Sequence, residues 1–411
     1  MAKDARKVTS IDTMPLMSPE ARALTALAVS AVKGETPAPP DAEVNVERLY
    51  LLAKQNYIQG IVYASVRRLG ELFPQEVAQK WRNEATKQAG YTLIQAKHRE
   101  DIKALFEENG VSFIGLKGYV LNAYYPKDAV RACADIDLCI PSHERKRVRR
   151  LLIDSGYTEV ERGANHDTYQ KNGVHFEIHH ELYSENPTYH KYFKSIFERS
   201  IPCPGKNYER LMNGIDFLVF QTTHGLRHFT GGGTGLRTVL DQYVSVRNIE
   251  FDRQALIAEL EKLGCDKFFF LMESIEQKLF EGGELTEDES FVLTYMVNGG
   301  VFGTSVNNAS MTHSEYYERR GGTFRYILGR AFLPYYGMKI RYPVLRKCPV
   351  LLPFCHLHRW IDALINYRGG IKEEISASNA VTEKDIEEKI RLKKIAGYDS
   401  SRIKARRHND H

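Results

Sequence analysis

The sequence lacks the long apolar runs and the repeats that define several classes of protein. It has no stretch of about 18 apolar residues without charges, which argues against a transmembrane helix. Lys3, Asp4, Arg6 and Lys7 interrupt the start of the chain, so no apolar signal segment is expected and we predict a cytoplasmic protein. No fixed period recurs, which argues against solenoid and propeller arrays.

Cysteine patterns that bind zinc or build a disulfide framework are also missing. The 6 cysteines form no C-x-x-C pair, and neutral thiols in a reducing compartment are the simplest interpretation. The net charge of +5 is small but uneven, since Lys339–Lys347 and Lys389–Arg407 are rich in basic residues. This bias favours anionic partners such as nucleotide phosphates, RNA or membrane headgroups, and a solvated surface with a frayed tail is the alternative.

Length and pattern predict several domains in one chain of 411 residues. We expect a polar segment and linker over residues 1–45, a helical region over 46–110 and an α/β core over 111–205. A helical domain over 206–330 and a proline- and aromatic-rich segment with a basic tail over 331–411 follow. The predicted fold class is α+β, with a small mixed β-sheet core flanked by N-terminal and C-terminal helical segments.

The core is expected to alternate short strands with helices. Asn172-Gly173 is typical of a two-residue hairpin turn between two of the strands. The predicted helices cover residues 119–125 and 144–155, and the predicted strands cover residues 111–115, 135–140, 157–160, 167–171 and 174–180.

Two carboxylates, Asp135 and Asp137, lie on one predicted strand. Alternation points both to one face and Ile136 to the other. Like charges on one face repel, and Mg²⁺ relieves this because it prefers oxygen ligands and bridges to phosphates. Glu177 on a later strand completes a three-carboxylate set if the strands are neighbours, either as a metal ligand or as the base that accepts a hydroxyl proton. His179 shares the face of Glu177 and is a candidate cleft residue, although His180 beside it is equally polar.

Candidate phosphate-binding residues precede the carboxylates. Gly115-Leu116-Lys117-Gly118 joins a predicted strand to a helix, where backbone N–H groups and a close approach at glycine suit a phosphate. Lys117 adds a positive charge, and Arg131 offers two parallel hydrogen bonds.

The predicted C-terminal helical domain adds candidate cleft residues. His224 and His228 share one helix face, but without an acidic residue between them a core or cleft position is favoured over zinc binding. Arg237 and Asp241 are also one turn apart, so they either line the cleft or form a plain helix ion pair. The glycine run Gly231–Gly235 is not a P-loop, because no strand precedes it and no Lys-Ser or Lys-Thr follows.

Four features stand out together: Leu116-Lys117-Gly118, Arg131, Asp135-Ile136-Asp137-Leu138 and Phe176-Glu177-Ile178-His179. In this order they resemble the uncharacterised nucleotidyltransferase family of bacteria, a branch of the polymerase-β-like nucleotidyltransferase superfamily. The resemblance is strongest over residues 110–182 and weaker through the helical domain. It implies transfer of a nucleoside monophosphate from an NTP such as ATP to a hydroxyl acceptor, with Mg²⁺ or Mn²⁺ and release of pyrophosphate. The frequent place of branch members among surface-polysaccharide genes suggests a small molecule or a sugar as the acceptor.

Two departures from the superfamily keep alternative hypotheses open. Lys117-Gly118-Tyr119 stands where the superfamily has Gly-Ser, and the gap from Gly118 to Asp135 is longer than usual. One alternative is a protein or RNA acceptor, of which RNA is not favoured although the basic tail would suit it. Another is a catalytically inactive nucleotide-binding protein of the same fold. The apolar segment from Phe332 to Tyr367 is expected to pack on the helical domain, with peripheral membrane contact as the alternative.

Overall fold

The structure is a computed structural model that describes residues 17–184, 186–317, 331–333, 335–366, 376–378 and 380–398. The first charged residues of the chain and the end of the basic tail, residues 399–407, lie outside the described residues. Among the described helices, none is both long and apolar enough to cross a membrane.

Helices dominate the part of the chain that the structure describes. They are α1 (Pro19–Lys33), α2 (Val46–Gln55), α3 (Gln59–Leu69), α4 (Gln75–Glu108), α5 (Gly118–Leu121), α6 (Arg145–Asp154), α7 (Pro187–Phe193), α8 (Ile196–Arg199), α9 (Gly214–Thr230), α10 (Arg237–Asn248), α11 (Arg253–Leu263), α12 (Asp266–Glu281), α13 (Glu287–Gly299), α14 (Ser305–Tyr317), α15 (Tyr335–Arg341), α16 (Leu352–Asn366) and α17 (Glu383–Ile395).

One mixed sheet of 7 strands forms the centre of the fold. The strands are β1 (Phe113–Gly115), β2 (Asp135–Cys139), β3 (Thr158–Arg162), β4 (His166–Lys171), β5 (Val174–His179), β6 (Ile201–Pro202) and β7 (Glu209–Leu211). Their order across the sheet is β3-β4-β5-β2-β1-β7-β6. The central pair β2–β5 is parallel, and β5–β4 and β2–β1 are antiparallel. The α+β class and the mixed sheet are therefore confirmed.

The two faces of this sheet have different partners. Ile136, Leu138 and Phe176 point to one face and are buried in a cluster with residues of α4 and α6. On the other face, Ile114 and Cys139 join the larger cluster of the helical domain. Strand alternation therefore directs the odd-numbered residues of β2, including both aspartates, towards the helical domain.

The helical domain includes more than the helices that follow the sheet in the chain, because the N-terminal helices pack in the same cluster. Ser18 caps α1 and Gly34 ends it in the left-handed region, with φ 73°. Leu24 and Leu27 of α1 are fully buried in the same cluster as residues of α9, α10 and α12. Within residues 1–45, for which a polar segment and linker are predicted, helix α1 packs into this cluster. The domain boundaries themselves stay a prediction.

The long helix α4 connects the two clusters. It has 34 residues, which is about 50 Å at 1.5 Å per residue. Trp81 near its start is buried beside Tyr50 of α2, with ring centroids 5.3 Å apart. Phe106 near its end packs on Phe113 of β1 at 5.5 Å. One rigid element thus ties the sheet to the helical domain.

Two described segments at the C-terminal end differ in how they pack. Helix α16 buries Cys355 in a separate small cluster with Met338 of α15. Its opposite side leaves an apolar stripe exposed at Phe354, Leu357, Ile361 and Ile365. The basic tail begins in α17, whose Lys389 and Lys393 are buried and hydrogen-bonded to residues of α14. Packing of the segment from Phe332 to Tyr367 on the helical domain stays a prediction, with peripheral membrane contact as the alternative. The two lysines of α17 contact α14.

Candidate active site

Three carboxylates meet on the sheet face that turns towards the helical domain. In the parallel pair β2–β5, Asp137 lies directly opposite Glu177. Asp135 lies two residues before Asp137 on the same face. One oxygen from each of the three lies within 4.8 Å of the others. The neighbouring strands that the sequence argument required are present, so the predicted carboxylates come together.

Burial and the charges nearby act on the ionisation of the two aspartates in different directions. Burial, together with the charges of Asp137 and Glu177, raises the pKa of Asp135 to about 7. Burial also acts against ionisation of Asp137, but the charge of Lys117 and a hydrogen bond from His179 outweigh it and lower the pKa of Asp137. An all-oxygen donor set of this kind fits Mg²⁺, whose ligands are oxygens and whose charge compensates such repulsion.

Lys117 supplies the nearest positive charge. Its Nζ lies 3.0 Å from Oδ1 of Asp137. Its backbone has φ 44°, in the left-handed region that few residues other than glycine adopt. Gly118 follows because a Cβ there would lie 2.2 Å from the sulfur of Cys133. The Lys-Gly turn therefore fits tightly against the segment before β2 and fixes the ammonium group over Asp137.

Two adjacent histidines, His179 and His180, follow Glu177, and one of them contacts the carboxylates. Nε2 of His179 lies 3.1 Å from Oδ1 of Asp137 and 3.3 Å from Oε2 of Glu177. His180 points away, and burial followed by the charge of Arg145 lowers its pKa to about 4. The structure thus places His179, and not His180, beside the carboxylates.

His166, which the sequence analysis missed, lies opposite His179 in the β4–β5 pair. Its Nε2 is 3.6 Å from Oε1 of Glu177. The sequence contained the information needed to find this residue. The two-residue turn Asn172-Gly173 pairs Lys171 with Val174 and thereby fixes which residues of β4 and β5 lie opposite each other.

A cavity of about 120 Å³ lies between the Lys-Gly turn and the helical domain. Its wall includes Lys117, and it is also lined by five further predicted cleft or phosphate residues, namely Arg131, His224, His228, Arg237 and Asp241. Since a water needs about 10–15 Å³ of such space, the cavity has room for on the order of ten waters or for a group the size of a sugar ring or nucleobase.

The two cavity histidines are neutral near pH 7. Burial, followed by the positive charge of Lys117, lowers the pKa of His228 to about 4 and lowers the pKa of His224 well below its ordinary value. Their ring centroids are 4.4 Å apart. Within the described residues, the groups with metal-site spacing contain neither of them. They therefore present neutral hydrogen-bonding groups to the cavity.

Arg131 holds the sheet domain to helix α10. Its Nε and Nη2 donate to the two oxygens of Asp241 at 2.7 and 2.8 Å, and Tyr125 donates to the same carboxylate at 2.7 Å. Arg237 is 3.8 Å from Asp241 and instead donates to the carbonyl of Ala132 at 3.0 Å. Asp241 is thus mainly the partner of Arg131 and not of its helix neighbour. Arg131 also lines the cavity, and its predicted role towards phosphate stays a prediction.

The glycine run between α9 and α10 forms a closely packed wall. A Cβ at Gly233 would lie 2.5 Å from the Cα of Gly303. Thr234 and Val301, from the two loops, both line the cavity. The run is therefore a contact between two loops beside the cavity, consistent with its not being a P-loop.

Comparison with known proteins gives one match. A family model described as an uncharacterised nucleotidyltransferase matches residues 42–281, more than half of the chain. The match covers the sheet, the carboxylate set and the cavity-lining helices α9 and α10. No curated protein and no solved structure matches the chain.

Proposed function

The chain belongs to the uncharacterised nucleotidyltransferase family, and from this membership we propose that it moves a nucleoside monophosphate from an NTP to a hydroxyl acceptor. The acceptor oxygen forms a bond to the α-phosphorus, the bond from that phosphorus to the bridging oxygen breaks, and pyrophosphate leaves. The observation that carries this proposal is the set of Asp135, Asp137 and Glu177 on one sheet face, with Lys117 reaching from it into the cavity wall.

Each residue of the set has a proposed role. Asp135 and Asp137 hold a divalent ion, Mg²⁺ or Mn²⁺, which would supply charge neutralisation on the phosphates. Glu177 completes the ligand set or accepts the proton of the acceptor hydroxyl. Lys117 and the backbone at Gly118 contact phosphate, and Arg131 joins them or acts through Asp241 to hold the turn in place.

The cavity suits the non-phosphate part of a substrate. His224 and His228 offer neutral donors and acceptors, Arg237 offers a charge, and Phe217 and Phe220 offer apolar surface. A sugar or nucleoside combines hydroxyl or amide groups with an apolar face in the same way. We therefore assign the cavity to a sugar or nucleoside portion of the substrates, in agreement with a small-molecule or sugar acceptor.

The test is pyrophosphate release from each of the four NTPs with Mg²⁺ or Mn²⁺, in the presence of a cell extract as the source of acceptor. Release is expected from the wild type and not from D135A/D137A. Asp154→Asn is the matched control, because it removes an exposed carboxylate of the same domain. Circular dichroism of all three proteins checks that they are folded.

Two outcomes would change the proposal. Nucleotide binding without release, in a folded wild-type protein, would favour the inactive nucleotide-binding hypothesis. Release that requires the RNA fraction or the protein fraction of the extract would replace the small-molecule acceptor by a macromolecule.

A further inference from the structure

A second group of metal-ligand residues borders the carboxylate set. His166 and His179 lie opposite each other on β4 and β5, with ring centroids 4.8 Å apart. Glu177 lies two residues before His179, so alternation puts its side chain on the same face. One ligand atom from each of the three lies within 4.8 Å of the others. Two imidazoles and one carboxylate are thus close enough together to share one metal ion.

The distances fit a common ion. Nε2 of His166 is 3.6 Å from one oxygen of Glu177, and Nε2 of His179 is 3.3 Å from the other. Nitrogen and oxygen ligands lie about 2.0–2.2 Å from Zn²⁺, so two ligands of one tetrahedral ion are roughly 3.4 Å apart. Only small side-chain movements would therefore bring the three groups into coordination.

The hydrogen bonding of His179 is incomplete as it stands. Its side chain is 10% exposed, and its Nε2 lies within reach of both Asp137 and Glu177. A ring nitrogen carries one hydrogen at most, so a single N–H is shared between two carboxylates. Its Nδ1 is buried and has no hydrogen-bond partner among the described residues. An ion at Nε2 would take the place of that shared proton and bind Glu177 directly.

We propose that His166, Glu177 and His179 form a second metal site, which takes a first-row transition ion such as Mn²⁺, Co²⁺ or Zn²⁺. The choice follows from the ligands, because imidazole nitrogen suits these ions whereas Mg²⁺ and Ca²⁺ take oxygen ligands. The site is distinct from the oxygen-only set and shares Glu177 with it. The inference concerns metal binding and does not depend on the proposed transfer reaction; if it is correct, Glu177 is a ligand and not the base.

The test uses the full chain, stripped of metal with a chelator and titrated with Co²⁺. Wild type is expected to bind Co²⁺ with the visible spectrum of a nitrogen-ligated ion. His166→Ala is expected to lower the affinity by at least about ten-fold, because even the loss of an outer-shell partner costs about 10–100-fold. His175→Ala is the matched control, since it removes an exposed histidine from the same strand β5 and should leave Co²⁺ affinity unchanged.

A second measurement needs no variant. Pulsed electron paramagnetic resonance of the wild type with enough Mn²⁺ to fill both proposed sites is expected to show coupling to imidazole nitrogen. Equal Co²⁺ affinity in wild type and His166→Ala, or Mn²⁺ without nitrogen coupling, would overturn the proposal. D135N/D137N separates this result from the proposed function: nitrogen coupling should persist in that variant while pyrophosphate release is lost.

Discussion

Lys117 is the residue whose removal tests the electrostatics of the site most directly. Its ammonium group lies 3.0 Å from Asp137, whose side chain is 5% exposed, and 26% of the Lys117 side chain is exposed. Removing one partner of a buried pair costs about 3–5 kcal/mol, because the other charge is left without compensation. Since Lys117 retains some solvent contact, we expect Lys117→Met to lower the free energy of unfolding by about 3 kcal/mol in metal-free protein.

Metal should reverse part of this loss. A divalent ion on the carboxylates supplies the charge that Lys117→Met removes, and it no longer meets repulsion from the ammonium group. An ion present at 100 times its Kd stabilises the native state by about 2.7 kcal/mol. The variant therefore gains more from Mn²⁺ than the wild type does, and its deficit should fall by about 1.4 kcal/mol for each ten-fold by which it binds the ion more tightly than the wild type.

Urea unfolding followed by tryptophan fluorescence, with chelator and with Mn²⁺, gives the four free energies required. Methionine keeps the Cβ of lysine, so the backbone strain at φ 44° is the same in both proteins and cancels. Lys127→Met is the matched control, because Lys127 is an exposed lysine near the same turn. A deficit of the same size with and without Mn²⁺ would refute the argument that Lys117 and the ion compensate the same charges.

Three further predictions follow from packing, the cavity and a buried carboxyl group. Gly118→Ala should destabilise the protein by about 1–3 kcal/mol and abolish transfer, because the added Cβ would overlap Cys133. Thermal unfolding measures this loss, with Gly90→Ala as the control. A Cβ at Gly90 meets no atom within 4 Å, so that substitution should stabilise helix α4 by up to about 1 kcal/mol. If the cavity binds the ground state and the transition state alike, His224→Ala should raise KM for a substrate by about ten-fold with a smaller change in kcat. Steady-state kinetics measures both constants, and a fall in kcat alone would contradict this prediction. Burial raises the pKa of Glu276 from 4.5 to about 7, so its contribution to stability is present below the lower value and lost as the pH rises through the higher one. Urea unfolding across that range should therefore show a loss that is larger in the wild type than in Glu276→Gln, by at most about 3 kcal/mol. Equal slopes in the two proteins would contradict this prediction.

The strands that carry the site could be predicted from sequence because their signals are local. Asp135 to Cys139 alternates polar and apolar residues, and Asn172-Gly173 specifies a two-residue turn in which both residues have positive φ, 50° and 77°. The short strands β6 and β7 were missed. They have two and three residues, too few for any period to show, and β7 is a strand because it pairs with β1.

Contacts between distant parts of the chain were beyond local patterns. Helix α1 has a clear apolar face, but periodicity does not say which partner covers it. Arg131 and Asp241 are 110 residues apart, and each had a local explanation that the structure replaces with their mutual ion pair. His224 and His228 were recognised as one face, whereas their neutral state depends on burial and on Lys117, which only the three-dimensional arrangement provides.

The register of the sheet explains how the fold tolerates so much charge in one place. A shift of one residue in β2 would turn Asp135 and Asp137 into the apolar cluster and expose Ile136 and Leu138. Burying a large apolar side chain contributes about 1.5–3 kcal/mol, and Ile136, Leu138 and Phe176 are all buried in that cluster. Ile136 and Leu138, the two of these on β2, together contribute about 3–6 kcal/mol, which is of the same size as the repulsion of one carboxylate pair at 4 Å, about 4 kcal/mol with an effective dielectric of 20. The apolar face of the sheet thus holds the charged face in register, and a substitution such as Leu138→Ala should weaken metal binding without touching a ligand.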